Sequence, residues 1–420
     1  MRSSVTATGE VRYCYLDEKG NQSPTLRLNP GDVLILKLTN DLPDKPDSTR
    51  PGMRMQSGIR PGSCAFTTVP SVSTNLHFHG LMIPPACHQD DVLHTAIGPG
   101  QPAYEYRVRI PATQPPGLYW YHPHPHGESE AQVLGGASGA LIVEGIERYN
   151  PALAGLPERL LVIRDQPLAA HGAGPKPPAE DLSVNFVPLP YPNFPPAIIH
   201  VNPGRRELWR VLNASADTFL ELHLLTKGKW QSLGLVSLDG VPLNYESKDK
   251  GRSIRWTDQI ALPPGGRAEF LFDGPPEAVP AQLLTAGIDT VPFVEEDGPA
   301  ALSAQANPAS LPPSDDDDYT PPRWLLSIVS TAPAAEVSAT IPQPSGHAPI
   351  TALPALQKAL PTRVRKLYFS EKIVNAGTSQ ASTTFYLTEE GKRRAPFNSA
   401  AAPNIRVRQG DVEDWVIENR

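Results

Sequence analysis

The chain has 420 residues, of which 49 are proline, 40% hydrophobic and 19% charged. That is length for about three domains at roughly 150 residues each. Proline lacks an amide donor and blocks helix interiors, so this much of it argues for strands joined by stiff loops. A formal charge of −7 gives no clustered basic surface for phosphate, which excludes nucleic acid as an expected partner. No run of about eighteen apolar residues reads as a membrane span, and Met1–Arg12 lacks the basic-then-apolar order of a signal peptide.

In chain order, the first clear element is a strand, a tight turn and a strand over Thr25–Asn40, with the turn at Pro30-Gly31. The pattern recurs from Ile198 through Pro203-Gly204 to Asn213, and again from Ile405 through Gly410 to Asn419. Each time the asparagine stands nine residues after the glycine. Glycines 31, 204 and 410 lie a domain's length apart, far beyond a solenoid period. The expected fold is therefore all-β, a tandem of Greek-key β-sandwich domains. The first spans residues 1–147 and closes with the Gly135–Glu144 strand; the second spans 158–330. Residues 331–360, rich in Ala, Pro, Ser and Thr, read as a linker. The third domain, 361–420, is expected to be incomplete, because its repeat asparagine is followed by one residue where Asn40 is followed by most of a sandwich. The four-aspartate run Asp315–Asp318 reads as a solvated loop, with cation binding the lesser possibility.

Seven of the eleven histidines lie between 77 and 126. Two segments stand out, His77-Phe-His79-Gly80 and Trp120-Tyr-His122-Pro-His124. Residues i and i+2 of a strand share a face, so each pair aims two imidazoles the same way and four nitrogens can converge from two strands. Neutral imidazoles without a nearby cysteine suit copper or catalytic zinc better than a structural zinc site. His88, His94 and His126 read as surface or supporting residues. His171, His200, His223 and His347 read as structural or exposed, and Trp120 and Tyr121 as core.

These two segments, with the Pro99-Gly100 turn between them and the Gly139–Val143 strand after them, resemble the multicopper oxidases, the laccase-like family of cupredoxin-domain enzymes. The resemblance implies tandem cupredoxin-like sandwiches. It implies His77 as a type 2 copper ligand, with His79, His122 and His124 ligands of the type 3 pair. It also implies dioxygen and a small reducing substrate as partners, and a periplasmic or extracellular location. The family keeps an acid after the first motif to relay protons, for which Asp90 is the first choice and Asp91 the second. No cysteine follows Cys87 and no histidine follows His347, so type 1 copper has no ligands here and only half of the trinuclear set is present. The chain alone is expected to be inactive, and a missing C-terminal segment of the third domain is expected to be needed. A non-catalytic copper-binding fragment is the alternative function. A zinc-dependent hydrolase with Asp90 as base is the third. Cys64 and Cys87 can close a loop across the first motif, worth roughly 3 kcal/mol in the chain-entropy model, or remain buried thiols. Met53 and Met55 could offer thioether to Cu(I), though packing is the simpler role.

Overall fold

The computed structural model describes residues 1–6, 9–43, 72–168, 177–243, 245, 254–287, 320–331, 360–374, 382–398, 401–408 and 410–419. Cys64, Met53, Met55, Asp315–Asp318, His171, His347 and most of the 331–360 segment lie outside these residues. The described chain is nearly all strand, with one short α-helix at Ser129–Leu134. No helix among the described residues is long and apolar enough to cross a membrane.

The first sandwich packs a four-stranded sheet against a two-stranded one. The four-stranded sheet runs Leu26–Leu28, Gly139–Val143, Gly117–His122, His77–His79; the other pairs Val33–Leu38 with Tyr104–Arg109. Alternation along Tyr104–Arg109 sends Tyr106 and Val108 inward, where they meet Phe78, Tyr119, Tyr121 and Leu141 in one core. The second sandwich pairs an eight-stranded sheet with a six-stranded one around Trp209, Phe270, Phe272, Leu222 and Leu283. Arg2–Val5 pairs with Val11–Cys14 in a separate two-stranded sheet, and the last three strands form a sheet in the order Ser382–Glu389, Arg363–Val374, Glu413–Asn419.

The repeated unit does not form a hairpin. Leu26–Leu28 pairs in parallel with Gly139–Val143, while Val33–Leu38 pairs with Tyr104–Arg109 in the opposite sheet. In the second sandwich Ala197–Val201 pairs in parallel with Arg323–Ser330, and Arg206–Asn213 belongs to the eight-stranded sheet. The Pro-Gly turn carries the chain from one sheet to the other, and Gly31, Gly204 and Gly410 all take positive φ, at 95°, 65° and 94°. In the third copy only the outgoing strand, Glu413–Asn419, forms, and Ile405–Arg408 is not a strand. The reason is local: in the first two copies the incoming strand leans on a late parallel partner, and none is present among the described residues of the third.

The repeat asparagine has one job in the two complete copies. Asn40 donates through Nδ2 to the carbonyls of Val72 and Ile97, at 3.1 and 2.7 Å, and accepts from the Leu42 amide at 2.9 Å. Asn213 donates to Thr218 and Leu262, at 2.8 and 2.9 Å, and accepts from Ser215 at 3.2 Å. Both side chains are buried and tie the strand's exit to a neighbouring loop.

The two sandwiches share an apolar seam in which Leu118, Trp120, Ala140 and Ile142 meet Val162, Leu212 and Ala214. Polar ties flank it. The Leu118 amide donates to Glu269 at 3.1 Å, and Glu269 also pairs with the buried Arg210. Arg210 in turn reaches Glu158 at 2.6 Å, which Arg27 of the first sandwich contacts at 2.6 Å. Buried charges this close to one another offset their desolvation only as a complete set. The seam therefore fixes the Gly117–His122 strand, and the histidine at its end, against the second sandwich.

Candidate metal centre

His77–His79 and Gly117–His122 are adjacent antiparallel strands, registered so that His77 stands opposite His122 and His79 opposite Trp120. Directly opposed residues share a face, and the i, i+2 spacing adds His79 to it. The chain then continues through Pro123, which brings His124 round to the same point. Ring centroids lie 5.2 to 5.4 Å apart between His77 and each of His79, His122 and His124. The separation is 5.5 Å between His79 and His122 and 5.8 Å between His122 and His124. His77, His79 and His122 each offer a nitrogen within 4.8 Å of the others.

Hydrogen bonds set which nitrogens face inward. Asp90 takes His77 Nδ1 at 2.9 Å and also accepts from the Phe78 amide at 2.9 Å, so the carboxylate orients the ring and leaves Nε2 for the cavity. His122 Nδ1 donates to the Pro123 carbonyl at 2.9 Å, and its Nε2 faces His79 Nδ1 at 3.3 Å. Burial keeps the rings neutral: His79 is pulled down to about 3, with the Arg267 charge reinforcing the effect, and His122 is lowered well below the usual imidazole range. His124 is lowered in the same way, and its buried Nδ1 has no partner. Asp91 is placed differently, 2.7 Å from the exposed His94.

Residues that pattern reasoning passed over complete the centre. Asn75, fully buried, accepts from the His124 amide at 2.7 Å and donates to the carbonyls of Val92 and Thr95. It thereby fixes the second motif against the loop that carries Asp90. Gln132 of the helix holds the Ser73 carbonyl at 2.7 Å and the Thr74 hydroxyl at 3.0 Å. Trp120 is core, as expected, but it also stacks on His122 with centroids 4.1 Å apart and borders the cavity. The second sandwich supplies the opposite wall through Ser215, Asp217 and Gly265. At Gly265, φ is +78° and a Cβ would stand 3.1 Å from the His79 ring, so only glycine fits. Only the position of Asn75 beside the first motif could have flagged any of these; the second-sandwich residues are remote in sequence.

The cavity enclosed is about 370 Å³. The donor set suits a borderline metal: neutral imidazoles, no thiolate, and one lone pair fixed by a carboxylate. Two nitrogens about 2.0 Å from one ion at a tetrahedral angle stand about 3.3 Å apart, which matches the His79–His122 separation.

The multicopper oxidase family profile matches residues 66–148, the stretch that contains both histidine motifs. Over that stretch the chain is similar to multicopper oxidases. Multicopper oxidase mco of Staphylococcus aureus is 26% identical over 252 residues, covering 60% of this chain and 46% of that protein. Multicopper oxidase VdtB of Byssochlamys spectabilis is 36% identical over 83 residues, covering 20% of this chain and 11% of its own. The chain thus spans under half the length of these relatives. Among solved structures, the Campylobacter jejuni multicopper oxidase, described as a metallo-oxidase, superposes with a TM-score of 0.59 at 19% identity, covering all of this chain and 74% of that one. A variant of the Aquifex aeolicus McoA multicopper oxidase gives 0.55 at 18% identity, covering 91% and 70%. These likenesses establish the tandem cupredoxin-like fold, and copper is the metal that multicopper oxidases use.

Proposed function

We propose that this chain binds copper through His77, His79, His122 and His124 and contributes that centre to an oxidase that couples a small reducing substrate to dioxygen. The observation that carries the reading is the convergence of four imidazoles from two strands on one cavity. In the family's arrangement His77 serves the type 2 copper and the other three the type 3 pair. Copper bound there supplies one-electron redox chemistry toward dioxygen. The protein's own residues prepare for it. Asp90 holds His77 in one tautomer, and through that contact it is the carboxylate nearest a ligand and the preferred proton carrier over Asp91, which is engaged with His94. Burial keeps His79 and His122 neutral, so their lone pairs are available at neutral pH.

The sequence has no cysteine after Cys87, so a blue type 1 centre has no thiolate, and the chain by itself has no entry point for electrons from a substrate. We assign residues 1–147 and 158–330 to two sandwich domains, and 361–420 to part of a third whose exposed apolar sheet is completed by further polypeptide. Cys87 is disulfide-bonded while Cys14 is a free thiol. A disulfide supports a location outside the reducing cytosol, periplasmic or extracellular. The test is metal analysis and optical spectroscopy of purified protein. Bound copper without strong absorption near 600 nm, lost in a His77→Ala/His122→Ala double variant, is the expected result. Zinc in place of copper would favour a hydrolase, and no metal at all would defeat the reading.

A further inference from the structure

We propose that Glu130 and Asp217 form a cation-loading mouth for the histidine cavity, capturing copper ions at its rim before they reach the imidazoles. This rests on the copper reading above. Glu130 sits in the first turn of the Ser129–Leu134 helix of the first sandwich, and Asp217 follows the Arg206–Asn213 strand of the second. Both are exposed, yet both line the cavity that contains the four histidines. Two carboxylates from separate sandwiches thus face one opening.

The interior has a different character. Its ligands are imidazoles backed by two opposed charges: the Asp90 carboxylate, 2.9 Å from His77 Nδ1, and Arg267, which is buried and donates to the Gly265 carbonyl at 2.8 Å. At the floor the Asp90 and Arg267 charges offset one another at long range, so the net attraction for an approaching cation comes from the rim carboxylates. The cavity lining also includes two residues with buried polar atoms that lack partners, Ser215 Oγ and Trp120 Nε1. Both residues are no more than 3% exposed. Unpaired buried polar groups are costly unless a ligand or water meets them, and the Ser215 hydroxyl offers an oxygen to an ion or to its water. The rim is also held in place. Asp165, fully buried, accepts from the amides of Ala216 and Asp217, each at 2.9 Å, and Asn213 accepts from Ser215. Exposed carboxylate oxygen, hydroxyl and buried imidazole nitrogen range from weak, fast-exchanging ligands to tight ones.

The experiment follows Cu(II) uptake by metal-stripped protein in a stopped-flow instrument, read as quenching of tryptophan fluorescence. Trp120, stacked on His122, serves as the reporter. At about 10 mM ionic strength the Glu130→Gln/Asp217→Asn variant takes up copper about 3- to 10-fold more slowly than wild type. The difference collapses near 0.5 M salt, and the copper content at saturation is the same. Wild-type uptake itself slows as salt rises, a measurement independent of how the variant folds. Equal low-salt rates in the two proteins, or a salt-independent wild-type rate, would overturn the loading mouth. Failure of wild type to take up any copper would instead overturn the metal centre on which it rests.

Discussion

His79 shows what burial does to a single side chain at this centre. Its imidazole, ordinarily half-protonated near 6.5, is pulled down to about 3, and His122 moves the same way. Above pH 6.5 the ring is neutral in the folded and the unfolded chain, so it contributes no pH dependence. As pH falls below 6.5 the unfolded chain takes up a proton that the folded chain refuses, and stability of the metal-free protein drops by up to about 1.4 kcal/mol per pH unit for such a group. The loss runs from about 6.5 toward 3, and its upper part, between pH 6.5 and 5.5, lies above the range in which carboxylates titrate. Urea unfolding of metal-free protein at pH 7.5, 6.5 and 5.5 should show this decline, and His79→Leu should make it shallower, with the share of His122 and His124 remaining. Parallel profiles for the two proteins would mean that the ring is not held neutral by burial.

Elements repeat as well as residues. In the second sandwich Arg159 grips Glu207 with bonds of 2.8 and 3.1 Å, the Trp209 indole donates to Glu207 at 2.9 Å, and the guanidinium lies 5.9 Å from the Trp209 ring. In the third sheet Arg365 grips Glu413 at 3.0 Å twice, Trp415 donates at 2.9 Å, and the guanidinium lies 5.7 Å from the ring. Both trios join parallel strands in one register, Arg159 opposite Trp209 and Arg365 opposite Trp415. The covering of the indole differs: Trp209 is 0% exposed and Trp415 45%. Arg365 is shielded by its own partners, but it lies in a single-layer sheet with water close by. Removing the carboxylate strands a fully buried indole N–H in the second sandwich, whereas in the third sheet the indole reaches solvent and Arg365 keeps Glu389 at 2.8 Å. Glu207→Ala is therefore expected to cost about 2 kcal/mol or more, and Glu413→Ala markedly less, as chemical denaturation of each variant will show. Equal losses would indicate that the trio acts locally, without regard to burial.

At the scale of the molecule, that same register identifies an exposed apolar surface. The face of the second sandwich bearing Leu161, Ile163, Trp209 and Val211 lies inside the core, covered by the six-stranded sheet. Its counterpart in the third sheet carries Leu367, Phe369, Trp415 and Ile417 with Phe385 and Leu387 of the neighbouring strand. Phe385 is 73% exposed and Ile417 55%, and among the described residues no second sheet lies over them. Monomeric soluble proteins rarely present contiguous apolar faces of this kind. The purified chain should bind a hydrophobic dye and self-associate with rising concentration, and Phe385→Ser/Ile417→Thr should reduce both. Dye binding unchanged by these substitutions would place the sticky surface elsewhere.

Strand periodicity in the sequence alone determined the all-β tandem, because alternation and Pro-Gly turns are local signals. The i, i+2 spacing likewise determined that His77 and His79 share a face, while His124 lies past the end of its strand and reaches the same point through Pro123; the histidine cluster was legible in the order of residues itself. Asp90 could be proposed from its distance along the chain, but its bond to His77 could not. The turn that reads as a hairpin proved to be a change of sheet, since the partners of its two strands lie up to about 130 residues away, at Gly139–Val143 and Arg323–Ser330. Asn75 and Gln132 emerged as supports, and Ser215, Asp217 and Gly265 as the far wall, only when the sandwiches were packed. Such contacts depend on where two surfaces meet in space, and no local pattern of residue types encodes that.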